Sequence, residues 1–262
     1  MKKLKRVLKH QHWWYKISDS RLYQRLKNPG AYQSFLSEIR FYKSLVGVAN
    51  KLIFDVGANV GTKSKIFSML AEQVVLFEPD MENLKILNAR LGKHSKCIIN
   101  ECALSSRETV ATYYSINDNS AYNSLSEKHI NTVVKGRGIV DKRHALTHYK
   151  IKTNTLDFFI QKYGVPDYIK IDVEGLEKEV VFGLSTLVPM ISVEANLPDF
   201  LPETIEIIDY LDGLSEGRIF YNYTITDRFE LQNFVSALEI KMKIAALRVK
   251  SIEVYCRFNA TN

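Results

Sequence analysis

No stretch of this 262-residue chain approaches the ~18 to 20 consecutive apolar residues that a membrane-spanning helix requires. The first residues also lack the apolar centre of a secretory signal. Cysteine is scarce: Cys97, Cys102 and Cys256 form no metal-type or disulfide-type spacing, and two of them sit in apolar strand-like segments expected to bury their thiols. Internal repeats and low-complexity blocks are missing too, which excludes a solenoid or an extended linker. These absences lead to the expectation of a reduced, cytoplasmic protein. Apolar residues make up 46% of the chain, enough for a sizeable core, and one α/β domain of this length is ordinary.

Acidic residues are nearly absent from the first 51 positions. That segment carries 12 Lys and Arg against only Asp19 and Glu38, while the remainder carries 24 against 27. The basicity therefore belongs to an N-terminal helical arm over 1–50, and the body over 51–262 is slightly acidic. In the arm, Leu4, Val7 and Leu8 recur at helical spacing among Lys2, Lys3, Lys5, Arg6 and Lys9, followed by Trp13, Trp14 and Tyr15. A basic amphipathic helix with interfacial aromatics suits an anionic membrane surface, here through residues 1–27, or a nucleic-acid backbone. The plainer alternative is a solvated arm that packs its tryptophans on the domain.

The richest ten residues are 53–62. An apolar strand ends at Asp55 and enters a glycine turn, Gly57-x-Asn59-x-Gly61, which opens a helix. A second apolar strand then ends in Glu78. Glycines at such a turn admit a ligand close to the backbone, and the helix N-terminus offers free N–H groups. An acid about 20 residues on is placed to grip a ribose diol. A dinucleotide turn, G-x-G-x-x-G, wants its middle glycine where Asn59 stands, and Asp55 would repel a pyrophosphate. The same carboxylate suits the cationic amino-acid end of S-adenosylmethionine.

Periodicity along the rest predicts alternating elements. A helix over 33–46 leads into strand 52–56, helix 61–71, strand 74–78, helix 80–91, and strands 97–102 and 109–115. The polar stretch 116–148, with Lys135, Arg137, Lys142, Arg143, His144 and His148, reads as a lid over the substrate, or else a plain insertion. Strand 149–153, helix 155–163, strand 168–173, helix 176–184, strand 190–194, helix 203–214 and strands 219–225 and 251–258 follow. Residues 229–249 alternate like a strand yet lack glycine and proline like a helix. The pattern implies a doubly wound, mainly parallel, seven-stranded Rossmann-like sheet, with ligands at the carboxyl ends of its strands.

Asp172, Glu174 and Glu194 stand at such strand ends and are the candidate catalytic acids, beside the crevice of Asp55. Carboxylates near a transferable methyl could take the proton of an acceptor hydroxyl, or hold a divalent ion that acidifies it. If an ion is present, Asp172, Glu194 and Asn196 form an all-oxygen set suited to Mg²⁺ or Mn²⁺. The alternative is that Glu194 and Asn196 merely brace the loop around Pro198. His129, His144 and His148 are further candidate bases.

Phe54-Asp-Val-Gly-Ala-Asn-Val-Gly61, Phe77-Glu-Pro-Asp80, Asn154-Thr-Leu-Asp157 and above all Ile169-Lys-Ile-Asp-Val-Glu-Gly175, with Glu177–Gly183 after it, resemble the FkbM family of class I S-adenosylmethionine-dependent methyltransferases. The likeness spans about residues 50 to 200. It implies O-methylation, commonly of sugar hydroxyls in polysaccharides, glycolipids or secondary metabolites. It also implies cofactor contacts from Asp55, Gly57, Asn59 and Gly61, the ribose acid Glu78 with its neighbour Pro79, and Asp172 near the methyl. The arm and the tail after about 215 lie outside the shared pattern, and a membrane-surface arm would suit a lipid-linked glycan acceptor. An RNA methyltransferase is the competing enzyme reading, weakened by the acidic body and the lack of a known RNA-binding module. A non-catalytic adaptor on the same fold is the third, and a nicotinamide oxidoreductase is disfavoured by Asn59 and Asp55.

Overall fold

The computed structural model describes residues 12–46, 52–115 and 147–259, together with 126, 128 and 131. Most of the expected lid over 116–148, including His129 and His144, lies outside these residues, as does Lys2–Lys9 of the arm.

Three helices come first: α1 (His12–Ser18), α2 (Arg21–Lys27) and α3 (Pro29–Val46). The alternating body follows as β1 (Leu52–Val56), α4 (Thr62–Leu70), β2 (Gln73–Phe77), α5 (Met81–Leu91), β3 (Cys97–Asn100), β4 (Ala103–Leu104), β5 (Thr109–Ser115), β6 (Thr147–Asn154), α6 (Leu156–Tyr163) and β7 (Tyr168–Ile171). It closes with α7 (Glu177–Val181), β8 (Met190–Asn196), α8 (Leu201–Leu214), β9 (Ile219–Thr226), β10 (Arg228–Phe229), α9 (Ala237–Ala245) and β11 (Ser251–Phe258).

The main sheet runs β10-β9-β11-β8-β7-β1-β2-β3. Its five strands from β8 to β3 are mutually parallel, and β11 lies between β8 and β9, antiparallel to both. Seven strands match the expected sheet, and the two-residue β10 adds a short edge. The segment read as one strand over 97–102 breaks after Asn100. Its continuation, β4, joins β6 and β5 in a separate three-stranded sheet.

Within residues 229–249, Ala237–Ala245 forms a helix for a legible reason. Ile240 and Ile244 are buried four residues apart, while Leu238 and Met242 are each 68% exposed. What looked like alternation is one buried and one exposed helical stripe. Ser236 caps the helix by accepting from the Glu239 N–H.

Strand alternation sets the two faces of the sheet. Phe54, Val56, Ile169, Ile171, Ile191, Val193, Ile252 and Val254 point to one apolar layer, shared with α6, α8 and α9. Ile53, Tyr168, Met190 and Tyr255 point to the other, against α3, α4 and α5. On that second face the same period carries Asp55, Lys170, Ser192 and Glu253. A polar stripe therefore runs along the carboxyl edge of the sheet, beneath the first turn of α4.

The arm is folded onto the body. His12 Nδ1 lies 2.9 Å from the Ala89 carbonyl, Tyr15 packs on Ile86 and Ala89 with Trp14 beside it, and Asp19 pairs with Arg90 at 3.1 Å. One tryptophan thus packs on the domain, whereas Trp13 is 51% exposed.

Candidate active site

The turn after β1 is held in a left-handed path: Gly57 has φ 85°, Asn59 φ 50° and Gly61 φ 77°. Gly57 cannot be replaced freely, because a Cβ there would lie 1.7 Å from the Asp172 carbonyl oxygen. The Asp172 N–H donates to the Val56 carbonyl at 2.9 Å, so the turn and the end of β7 are locked together. Gly61 serves a different purpose, since a Cβ there would meet Leu87 of α5 at 2.6 Å. It lets two helices close together and stands outside the crevice wall.

Glu78 follows β2 and is buried. One of its oxygens accepts from the Asn59 N–H at 2.7 Å, the other from the Asp80 N–H at 2.8 Å. Burial raises its carboxyl from near 4.5 to about 7, and these two N–H groups hold it back from going higher. Asp80 caps α5 through the Glu82 and Asn83 N–H groups, which turns Asn83 toward Glu78 at 3.4 Å. Among the described residues, the buried Asn83 Oδ1 has no hydrogen-bond partner. A buried, unpaired acceptor beside a buried acid is costly unless a ligand donor completes it.

These groups line one crevice with Gly57, Asn59, Pro79, Asp172, Glu174, Cys102 and Tyr113. The small sheet supplies its roof through β4 and Tyr113 of β5. Of the expected cofactor residues, Gly57, Asn59, Glu78, Pro79 and Asp172 therefore meet at one wall. Asp55 does not. It is buried behind the turn, where its carboxylate accepts from Ser64 Oγ of α4 at 2.5 Å. Burial raises its pKa, opposed by the Lys170 charge. A role against the cofactor's cationic end is replaced by one of anchoring α4 to β1. Asn83 and Tyr113 escaped the sequence reading: nothing local marks Asn83, and Tyr113 sits in a strand of the other sheet.

The candidate acids cluster as expected, around an unforeseen lysine. Lys170 is buried on β7, and its ammonium lies 2.7 Å from an Asp172 oxygen. Burial pushes the Asp172 carboxyl up, but the Lys170 charge, with hydrogen bonds from Lys170 and Glu194, brings it below its usual value. Burial disfavours the Lys170 charge, yet Asp172, Glu253 and Asp55 together raise its pKa well above the ordinary range. Glu194 is pushed up to about 9, by burial first and then by the Asp172 and Glu174 charges. At neutral pH Glu194 is therefore a proton donor and Asp172 an ionised acceptor.

Glu174 adopts φ 57° at the crevice wall, in a turn fixed by Glu177, which accepts from the Val173 N–H at 3.0 Å and the Gly175 N–H at 3.1 Å. Asp172, Glu174 and Glu194 each offer an oxygen within 4.8 Å of the others. The donor set is of the type that holds Mg²⁺ or Mn²⁺, with Glu174 in the place expected for Asn196. Lys170 and the proton on Glu194 already supply the positive charge that brings these acids together. Asn196 contacts Glu194 only at 3.5 Å, and Ser251 donates to Glu194 at 3.2 Å. His148 is exposed on β6, opposite Tyr114, away from the crevice.

A doubly wound sheet, a glycine turn latched to the acid ending β2 and an ionised carboxylate ending β7 define the site of an S-adenosylmethionine-dependent methyltransferase. The chain belongs to the FkbM methyltransferase family, whose model, "Methyltransferase FkbM domain", matches residues 55–220. Asn83 Oδ1 and Glu78 meet the requirement for acceptors facing an adenosine. No curated protein matches the chain. Similar solved structures include the plantazolicin methyltransferase BpumL in complex with SAH, at 12% identity and TM-score 0.45 over 98% of this chain and 95% of that one. The precorrin-6y C5,15-methyltransferase of Geobacter metallireducens is 10% identical with TM-score 0.44, covering 87% and 89%. An rRNA methylase of Streptococcus thermophilus is 10% identical with TM-score 0.41, covering 87% and 95%. The assignment rests on the family match.

Proposed function

We propose that this methyltransferase acts on a hydroxyl of a sugar, in a polysaccharide, glycolipid or secondary metabolite. The observation that carries the reading is the Lys170–Asp172–Glu194 arrangement. A hydroxyl must lose its proton as it is methylated, and Asp172 is an ionised carboxylate at the crevice wall able to accept it. When bound, S-adenosylmethionine supplies an electrophilic methyl on its sulfonium. Glu78 and Asn83 are suited to the ribose and adenine, and Lys170 keeps Asp172 charged. Glu194, retaining its proton, donates to Asp172 and fixes its orientation. No step requires a divalent ion. The test is transfer of tritiated methyl to separated glycan, lipid and RNA fractions of cells. Label in glycan or glycolipid, reduced at least ~100-fold by Asp172→Asn with S-adenosylhomocysteine binding intact, supports the reading. Label in nuclease-sensitive RNA contradicts it.

We further propose that the arm holds the enzyme at an anionic membrane surface. Among the described residues no helix is long and apolar enough to cross a membrane. Trp13 and Ile17 on α1, and Leu22 and Leu26 on α2, are 51%, 48%, 70% and 74% exposed. Each pair is spaced four residues apart, so each marks one helix face, within a segment rich in lysine and arginine. Co-sedimentation with anionic liposomes should be lost when all four become serine. Equal pelleting of both forms would end the idea.

A further inference from the structure

Beside the cofactor crevice lies a second cavity, of about 270 Å³, with Asp172 in its wall as well. That volume is near the lower end for small-molecule sites, roughly 300 Å³. The sheet register builds it. Glu194 of β8 pairs with Glu253 of β11, which pairs with Thr224 of β9, and Asn196 pairs with Ser251. Neighbouring strands stand about 4.8 Å apart, so these side chains form a ladder of oxygen atoms on one face. Thr226 and Asp227 continue it at the rim, and Lys63 of α4 closes the opposite side.

The two cations in this wall are already committed. Lys170 is paired with Asp172, and Lys63 with Glu38 of α3 at 2.5 Å. Facing them are the carboxylates of Asp172, Asp227 and Glu253, with the protonated Glu194 among them. A phosphate, sulfate or carboxylate on an acceptor would find like charge and, among the described residues of this wall, no spare ammonium. Hydroxyls are a better match. Carboxylates and threonine hydroxyls accept from O–H groups, and a vicinal diol donates twice to one carboxylate. Ile225, 45% exposed, adds apolar surface for ring C–H groups.

We infer that this cavity is the acceptor subsite and that it selects an uncharged polyhydroxyl ring over an anionic one, presenting a ring hydroxyl to the shared Asp172. The inference rests on the methyltransferase reading above.

It is tested by amide NMR on the full chain saturated with S-adenosylhomocysteine. The probes are methyl glycosides of glucose, mannose and rhamnose, with methyl glucuronide as the matched anion. At least one neutral glycoside should shift the amides of 224–227 and 251–253, with millimolar affinity, and glucuronide should bind at least about tenfold more weakly. Thr226→Trp, at the exposed rim, should remove those shifts while leaving the response of Gly57 and Asn59 to S-adenosylhomocysteine. Equal or tighter glucuronide binding, shifts confined elsewhere, or no shift from any neutral glycoside would overturn the assignment. Loss of the Gly57 and Asn59 response in the unaltered protein would instead strike the methyltransferase reading.

Discussion

Replacing Lys170 with methionine keeps side-chain length and removes one charge, and the consequences can be worked from its surroundings. The lysine side chain is 5% exposed and touches Asp172 at 2.7 Å, while Asp55 and Glu253 also draw on its charge. Removing one partner of a buried ion pair costs about 3–5 kcal/mol, because the other charge is left uncompensated. Asp172 is 34% exposed to the cavities and can be partly rehydrated, which favours about 3 kcal/mol, still a large part of a typical stability of ~5–15 kcal/mol. The penalty depends on pH in a definite direction. Without Lys170 the folded-state pKa of Asp172 rises above its unfolded value, and that of Asp55, already raised by burial, rises further. Stability is then present at low pH and lost as pH rises through those raised values. Urea denaturation of both proteins at about pH 5 and about pH 8 should show the larger deficit at the higher pH. Methyl transfer should fall, with its pH profile moved upward. A deficit below about 1 kcal/mol at both pH values, or one that grows toward acid, would refute this account of the buried charges.

Glu78 should make cofactor binding pH-dependent. With its carboxyl raised to about 7 and only the carboxylate able to accept both ribose hydroxyls, S-adenosylhomocysteine should bind about tenfold more weakly near pH 6 than near pH 8. Glu78→Gln should flatten that profile. In the empty protein the sign is opposite: Glu78's contribution to stability is full below about 4.5 and lost as pH rises through about 7. Gly57→Ala should cost more than about 3 kcal/mol in thermal or urea unfolding, since its Cβ would overlap the Asp172 carbonyl at a positive φ. Gly213→Ala, in α8 with no described residue's atom within 4 Å of the added Cβ, should instead stabilise by about 0.5–1 kcal/mol. Chelation by EDTA should leave methyl transfer unchanged, because Lys170 supplies the charge beside Asp172; abolition rescued by Mg²⁺ would show otherwise.

The alternating elements were legible because the central strands are buried on both faces and read as apolar runs, Leu52–Val56, Val74–Phe77 and Tyr168–Ile171, interrupted only by Asp55 and Lys170. Gly57, Asn59, Glu78 and Asp172 were legible because strand ends in a doubly wound sheet converge on one edge. Asp55 misled because a carboxylate next to a glycine turn reads the same whether it faces the ligand or a helix. Only the strand period, which turns it toward Ser64, decides. Lys170 had a similar ambiguity, being a polar residue within an apolar strand whose partners lie on β1 and β11. Asn83 and the roof of Tyr113 depend on how α5 and the small sheet fold back, and local pattern carries no trace of that. The helix at Ala237–Ala245 was hidden because a four-residue stripe of exposed apolar residues imitates strand alternation.

The central claim is the donor. Titration calorimetry with S-adenosylhomocysteine, with NAD⁺ as comparator and Glu78→Ala as control, tests it most directly. The account predicts micromolar binding of S-adenosylhomocysteine, none of NAD⁺, and loss of binding in the variant. Binding of NAD⁺ in its place, or of neither, would contradict it.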